Sequence, residues 1–282
     1  MKKTNRPLFI IFMIFSVTAV VMRTVGLSSA LSPTASAVIN VSCVVLGLLC
    51  LFAGRCAGVP SEISENSIAL SLTAALLSMG LIADGVVCTV GFFSEEYVYG
   101  RFSSGELIMI LLLFASAAYF ALFAAQKAGA LRRPIHPLFP IVVPLQLLVR
   151  LLLSFMKFTG YADIGENSYS IVMMAAFLWF WMFFSRTSAG VSKTQTVFMH
   201  APAIAFYCAA LTLLPRLISE LTSGGMLQKV GFGFSDAATL LFAAALLFDM
   251  MKRNKAHEDE EAPHDGEPIV SILSDETEET SI

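Results

Sequence analysis

Residues 140–155 read PIVVPLQLLVRLLLSF, an apolar run with Arg150 near its middle. An α-helix needs ~20 residues, at ~1.5 Å each, to cross ~30 Å of hydrocarbon. This run, extended by its apolar flanks to about 137–158, has that length. A guanidinium at the centre of such a helix costs about 2.5–3.5 kcal/mol on insertion scales, so an arginine there calls for a partner or for wet surroundings.

Working outward, seven further apolar runs lie at about 8–28, 37–54, 67–90, 105–126, 169–186, 197–219 and 232–251. Composition agrees with them. Charged residues make up 14% of the chain, against ~25% in soluble domains, and mean hydropathy is +0.75. The runs are continuously apolar and far longer than the alternating strands of a membrane barrel. The links between them are too short for a soluble domain. The expected fold is therefore all-α: a polytopic transmembrane bundle of about eight helices over residues 1–255, with the lipid bilayer as its solvent.

Lysine and arginine set the orientation, because cytoplasmic loops carry them in excess. With the N-terminus inside, the inner segments hold Lys2, Lys3, Arg6, Arg55, Lys127, Arg132, Arg133, Arg186, Lys193, Lys252, Arg253 and Lys255. The outer segments hold only Arg101, Lys157 and Lys229. This asymmetry places both termini in the cytoplasm. The first run also resembles a secretory signal, with Ser28 and Ala30 at a cleavage-site spacing, but it is longer than the usual 7–15-residue apolar region. It is read as a retained helix.

Residues 256–282 differ in kind. From His257 onward there are ten acids and no lysine or arginine, and removing those acids turns the net charge of −3 into +7. Such a segment buries no core and reads as a disordered acidic cytoplasmic tail. Its apolar island EPIVSILSDE, residues 267–276, is suited to docking on a cytoplasmic protein partner.

Matches at an offset of 132 residues suggest an internal repeat. Ala57-Gly58-Val59 recurs as Ala189-Gly190-Val191, and Phe102-Ser103 recurs as Phe234-Ser235, each followed by an acid, Glu106 or Asp236. The same offset sets Asp84 opposite Arg216, and Arg23 has a rough counterpart in Arg150. Four helices per half give a four-plus-four parallel duplication, with halves 1–133 and 134–255.

Arg23, Asp84, Arg150 and Arg216 all fall in the outer half of their spans. Gln146, Arg150, Ser154 and Lys157 recur at steps of four, four and three, which aligns them on one helix stripe. Asp84 is the acid in mid-span, and so the natural counter-charge for Arg150 or Arg216; Glu166 stands at the outer mouth of the sixth run. Three arginines against one aspartate leave positive charge over, which suits a small anionic ligand. The candidate ligand-binding residues are thus Arg150, Asp84, Arg216, Arg23, Gln146 and Glu166. The bland alternative is a buried Arg150–Asp84 pair that fixes helix packing, with Arg23 and Arg216 reaching the outer interface.

No phosphate loop, HExxH, GxSxG or paired carboxylates at helical spacing occur. The five cysteines and four histidines show no metal-ligand spacing. No catalytic residue, metal, cofactor or nucleic-acid partner is expected, and an enzyme is disfavoured.

The segment LVRLLLSFMKFTGYADIGENSYSIVMMAAFLWFWMFFSRTSAG, residues 148–190, resembles a set of uncharacterised bacterial multi-pass membrane proteins. They carry a similar arginine before a helix pair that ends in an arginine and a small-residue turn. The resemblance implies residence in a bacterial cytoplasmic membrane and transfers no site. The functional expectation is binding or transport of a small anionic ligand through a polar pocket in the outer half of the bundle. The alternative is a non-catalytic scaffold or regulatory subunit whose acidic tail recruits a partner.

Overall fold

The computed structural model describes residues 6–28, 33–55, 67–93, 104–131, 135–158, 164–189, 200–223 and 233–261. They form eight α-helices: α1 (Arg6–Ser28), α2 (Pro33–Arg55), α3 (Ile68–Phe93), α4 (Ser104–Lys127), α5 (Val142–Phe158), α6 (Ile164–Ser188), α7 (His200–Ser223) and α8 (Phe234–Glu261). A short 3-10 turn, Phe139–Ile141, leads into α5. Each helix coincides with one apolar run. Among the described residues, α3 to α7 are long and apolar enough to cross a membrane. The chain is an all-helical integral membrane protein.

Local chemistry sets the ends. Pro140 lies in the 3-10 turn, while Pro144 and Pro202 fall in the first turns of α5 and α7, where the missing amide donor would have had no helical partner. Pro215 lies inside α7. α4 stops at Gly129, whose φ of 76° suits glycine, and the Ala130 and Leu131 amides then turn back to the Ala125 carbonyl. α8 runs on to Glu261, into the segment expected to be disordered from residue 256. Lysine, alanine and glutamate there are good helix formers. Residues 262–282, with the docking island, lie outside the described residues.

Two cores hold the bundle. The larger draws on α3 to α8, around Phe120, Phe180, Trp181, Phe184 and Phe242, with ring centroids 4.9 Å apart for Phe120–Trp181 and 5.2 Å for Trp181–Phe242. Buried Trp181 is thus a packing residue and not an interface anchor. The smaller core seats α1 and α2 on α7 and α8, through Phe12, Ala19, Cys43, Ala203, Tyr207, Leu211 and Leu247. Hydroxyls tie helices across these seams: Ser78 and Ser71 donate to the Ala117 and Ala124 carbonyls of α4, both at 2.9 Å, and Ser185 donates to Pro140 at 2.8 Å. Hydrogen bonds of this kind hold helices together where lipid removes the hydrophobic drive between them. Outward, α2 presents Val38, Val41, Val44, Val45 and Leu48, and α3 presents Val86, Val87 and Val90, the surface a helix shows to lipid.

Candidate functional site

The charge of Arg150 is answered by a residue other than the one expected. Its two terminal nitrogens grip the Asp236 carboxylate at 2.5 and 2.6 Å, a fork-to-fork ion pair between α5 and the first turn of α8. Asp236 is buried, and it also accepts from the Gly233 amide at 3.0 Å. Asp84 does not grip Arg150, although it acts on the guanidinium electrostatically. It caps α8 instead. Its carboxylate accepts from the Phe234 amide at 2.7 Å, the Ser235 amide at 2.9 Å and the Ser235 hydroxyl at 2.5 Å. A helix start has amides without partners and a partial positive charge, and a carboxylate answers both.

Two glycines permit this approach. A Cβ at Gly80, one turn before Asp84, would lie 3.1 Å from the Phe234 carbonyl carbon and oxygen. A Cβ at Gly233 would run into the Asp84 carboxylate itself. The start of α8 is therefore recessed. α3 continues nine residues beyond Asp84 and α5 eight beyond Arg150, or about 12–14 Å at the helical rise.

The surroundings of Arg150 are close-packed. The space beside the pair is about 10 Å³, bounded by Gln146, Asp236, Ser235 and Thr239 among apolar neighbours. That is room for about one water. Gln146, also buried, meets the Met109 sulfur at 4.0 Å. The structure thus gathers Arg150, Gln146 and Asp84 at the start of α8. Arg216 is half-buried on α7, just after Pro215. Glu166 lies in the first turn of α6, with its side chain outside the described residues.

Arg23 belongs to a different place. It is buried on α1, with its guanidinium carbon 3.2 Å from the centre of the Tyr169 ring, a cation–π stack onto α6. The Tyr169 hydroxyl donates to Asn40 Oδ1 of α2 at 2.5 Å. Asn40 and Tyr169 line one end of a groove of about 480 Å³ among α1, α2, α6 and α7. α7 supplies its floor from His200, Ala203, Ile204, Tyr207, Cys208, Leu211 and Thr212, one stripe at steps of three and four. α2 supplies one wall from Asn40 to Leu48, and Ser168, Tyr169 and Val172 of α6 the other. Val44, Leu48 and Val172 are 62%, 51% and 55% exposed, so the groove opens sideways, where lipid lies.

From His200 to Thr212 the floor is about 18 Å long at the helical rise. The groove is therefore elongated along α7. Mid-groove polarity is already spent: the Tyr207 hydroxyl donates to the Cys43 carbonyl at 2.6 Å, and the Cys43 thiol faces the Ala19 carbonyl at 3.9 Å. Among the described residues no cluster of His, Cys, Asp and Glu could hold a metal ion.

The sequence reading missed Asp236 as Arg150's partner, and it missed Asn40, Tyr169 and Tyr207. Asp236 stands near the start of the eighth apolar run; the recess of α8 carries it down to Arg150. Asn40 and the tyrosines were legible as polar side chains inside apolar runs, a signal weaker than charge. Comparison with protein families, with curated proteins and with solved structures finds no match for this chain.

Proposed function

We propose that this protein is a non-catalytic binding protein for an amphiphile of the bilayer, taken laterally into the groove among α1, α2, α6 and α7. The carrying observation is the groove itself: about 480 Å³, within the ~300–1,000 Å³ range of ligand sites, long, apolar-walled, open toward lipid, with Asn40 and Tyr169 at one end and His200 at the other. The Arg150 region supports a structural role by comparison. Its charge is matched by Asp236, and the adjoining space has room for about one water. The lysine and arginine asymmetry supports cytoplasmic termini, and with them an outer-leaflet position for the Asn40–Tyr169 end of the groove; the resemblance of residues 148–190 supports a bacterial cytoplasmic membrane.

The test uses two cysteines of the chain. Cys208 lines the groove, whereas Cys88 is exposed on α3. A membrane-soluble maleimide, read by peptide mapping as the ratio of Cys208 to Cys88 labelling, should give a several-fold lower ratio in lipid-loaded protein than in delipidated protein. Filling the groove with Ala203→Phe should remove the co-purifying lipid. Cys208 labelling that ignores lipid would end the proposal.

A further inference from the structure

Resting on that reading, the geometry points to the group recognised at the Asn40–Tyr169 end: the ester carbonyl oxygen of a bilayer glycerolipid, one of whose acyl chains fills the groove. The argument begins at Asn40. Its carboxamide has one acceptor and two donor hydrogens. The acceptor, Oδ1, is taken by the Tyr169 hydroxyl at 2.5 Å. That bond fixes which way the amide faces, so Nδ2 becomes the donor left for the groove. No described residue accepts from it. A donor at an apolar surface recognises an acceptor oxygen, because leaving it unmet costs about 1–3 kcal/mol.

Tyr169 is itself held in place. Arg23 stacks on its ring at 3.2 Å, and its backbone carbonyl lies 3.4 Å from the Thr212 hydroxyl of the groove floor. Three helices thus orient one amide. The recognition element is rigid and neutral, which suits a carbonyl.

The shape selects the source of that carbonyl. The groove is about 18 Å long at the helical rise and about 480 Å³ in volume. That accommodates one hydrocarbon chain. Its open side is walled by Val44, Leu48 and Val172, so the rest of the lipid stays in the bilayer. Asn40 is seven residues, about 10 Å, into α2. There it meets the first carbons of a chain that lies along the groove toward His200, the segment where a glycerolipid carries its ester.

Ester and ether lipids of equal chain length differ in this carbonyl alone. The full-length protein is reconstituted in nanodiscs of diacyl phosphatidylcholine or of its dialkyl ether analogue, and Cys208 labelling is read against Cys88. The ester lipid should protect Cys208 at least threefold better than the ether. Asn40→Leu should erase that difference while protection by the ether persists. Tyr169→Phe, which keeps Asn40 but frees its amide to turn, should reduce the difference. Equal protection by ester and ether in the native protein overturns the carbonyl assignment and leaves the groove reading standing. So does an undiminished ester preference in a folded Asn40→Leu protein, or protection by free palmitate without protection by the diester. No protection by any lipid overturns the groove reading itself.

Discussion

Replacing Asp84 separates its role as a helix cap from a role as a counter-ion. In Asp84→Ala the Phe234 and Ser235 amides and the Ser235 hydroxyl lose their acceptor at once. Hydrogen bonds to a charged group contribute about 1.5–3 kcal/mol singly, and loss of a helix cap costs about 0.5–2 kcal/mol. The three bonds share one carboxylate and two come from one residue, so they do not add. A loss of about 3 kcal/mol is expected. Asp84→Asn keeps one acceptor oxygen, turns an amide toward a donor and gives up the charge at the helix start, and it should lose about half as much. The assay is equilibrium unfolding in mixed micelles, combined with double-mutant cycles. Asp84 should couple to Ser235 by about 1 kcal/mol or more, and more strongly than to Arg150. Hydrogen exchange should speed up at the Phe234 and Ser235 amides. Stronger coupling to Arg150, or unchanged exchange at those two amides, refutes the cap.

Asp236→Leu alone should cost about 3–5 kcal/mol, because it strands the Arg150 guanidinium, and adding Arg150→Met should recover most of that in the same unfolding assay. Gly80→Ala should destabilise by about 1–3 kcal/mol, since its Cβ meets the backbone of α8 at 3.1 Å. Gly91→Ala, with nothing within 4 Å of its Cβ, should be neutral or should gain up to about 1 kcal/mol from helix propensity; equal losses at both glycines would refute the close approach of α3 and α8. Among the described residues the fully buried Ser116 Oγ has no hydrogen-bond partner, so Ser116→Ala should stabilise by about 1 kcal/mol, and a lower unfolding midpoint would show that the hydroxyl has a partner.

The helices were legible because hydrocarbon thickness fixes their length, and each apolar run gave one. The need of Arg150 for a partner was legible too, since the cost of a buried charge can be read from one residue. Which acid answers it was not. That depends on how deep α8 begins, which Gly80, Gly233 and Asp84 settle jointly across 154 residues of chain. The groove left still less trace. Its floor is a stride of alanine, tyrosine, cysteine and threonine on α7, side chains that elsewhere simply fill a core. One end joins Asn40 to Tyr169, 129 residues apart, and only packing brings such pairs together.

The recessed start of α8 also orders the assembly of the protein in time. The ribosome makes Asp84 and Arg150 first, 150 and 86 residues before their partners at Phe234 and Asp236. Until the last helix emerges, one carboxylate and one guanidinium wait in the membrane without their final contacts. α8 in turn cannot settle its first turn until α3 and α5 stand beside it. Insertion of this final helix therefore acts as a closing step that quenches both charges together. A chain interrupted before residue 233 would lack the amides that Asp84 accepts from and the carboxylate that Arg150 grips.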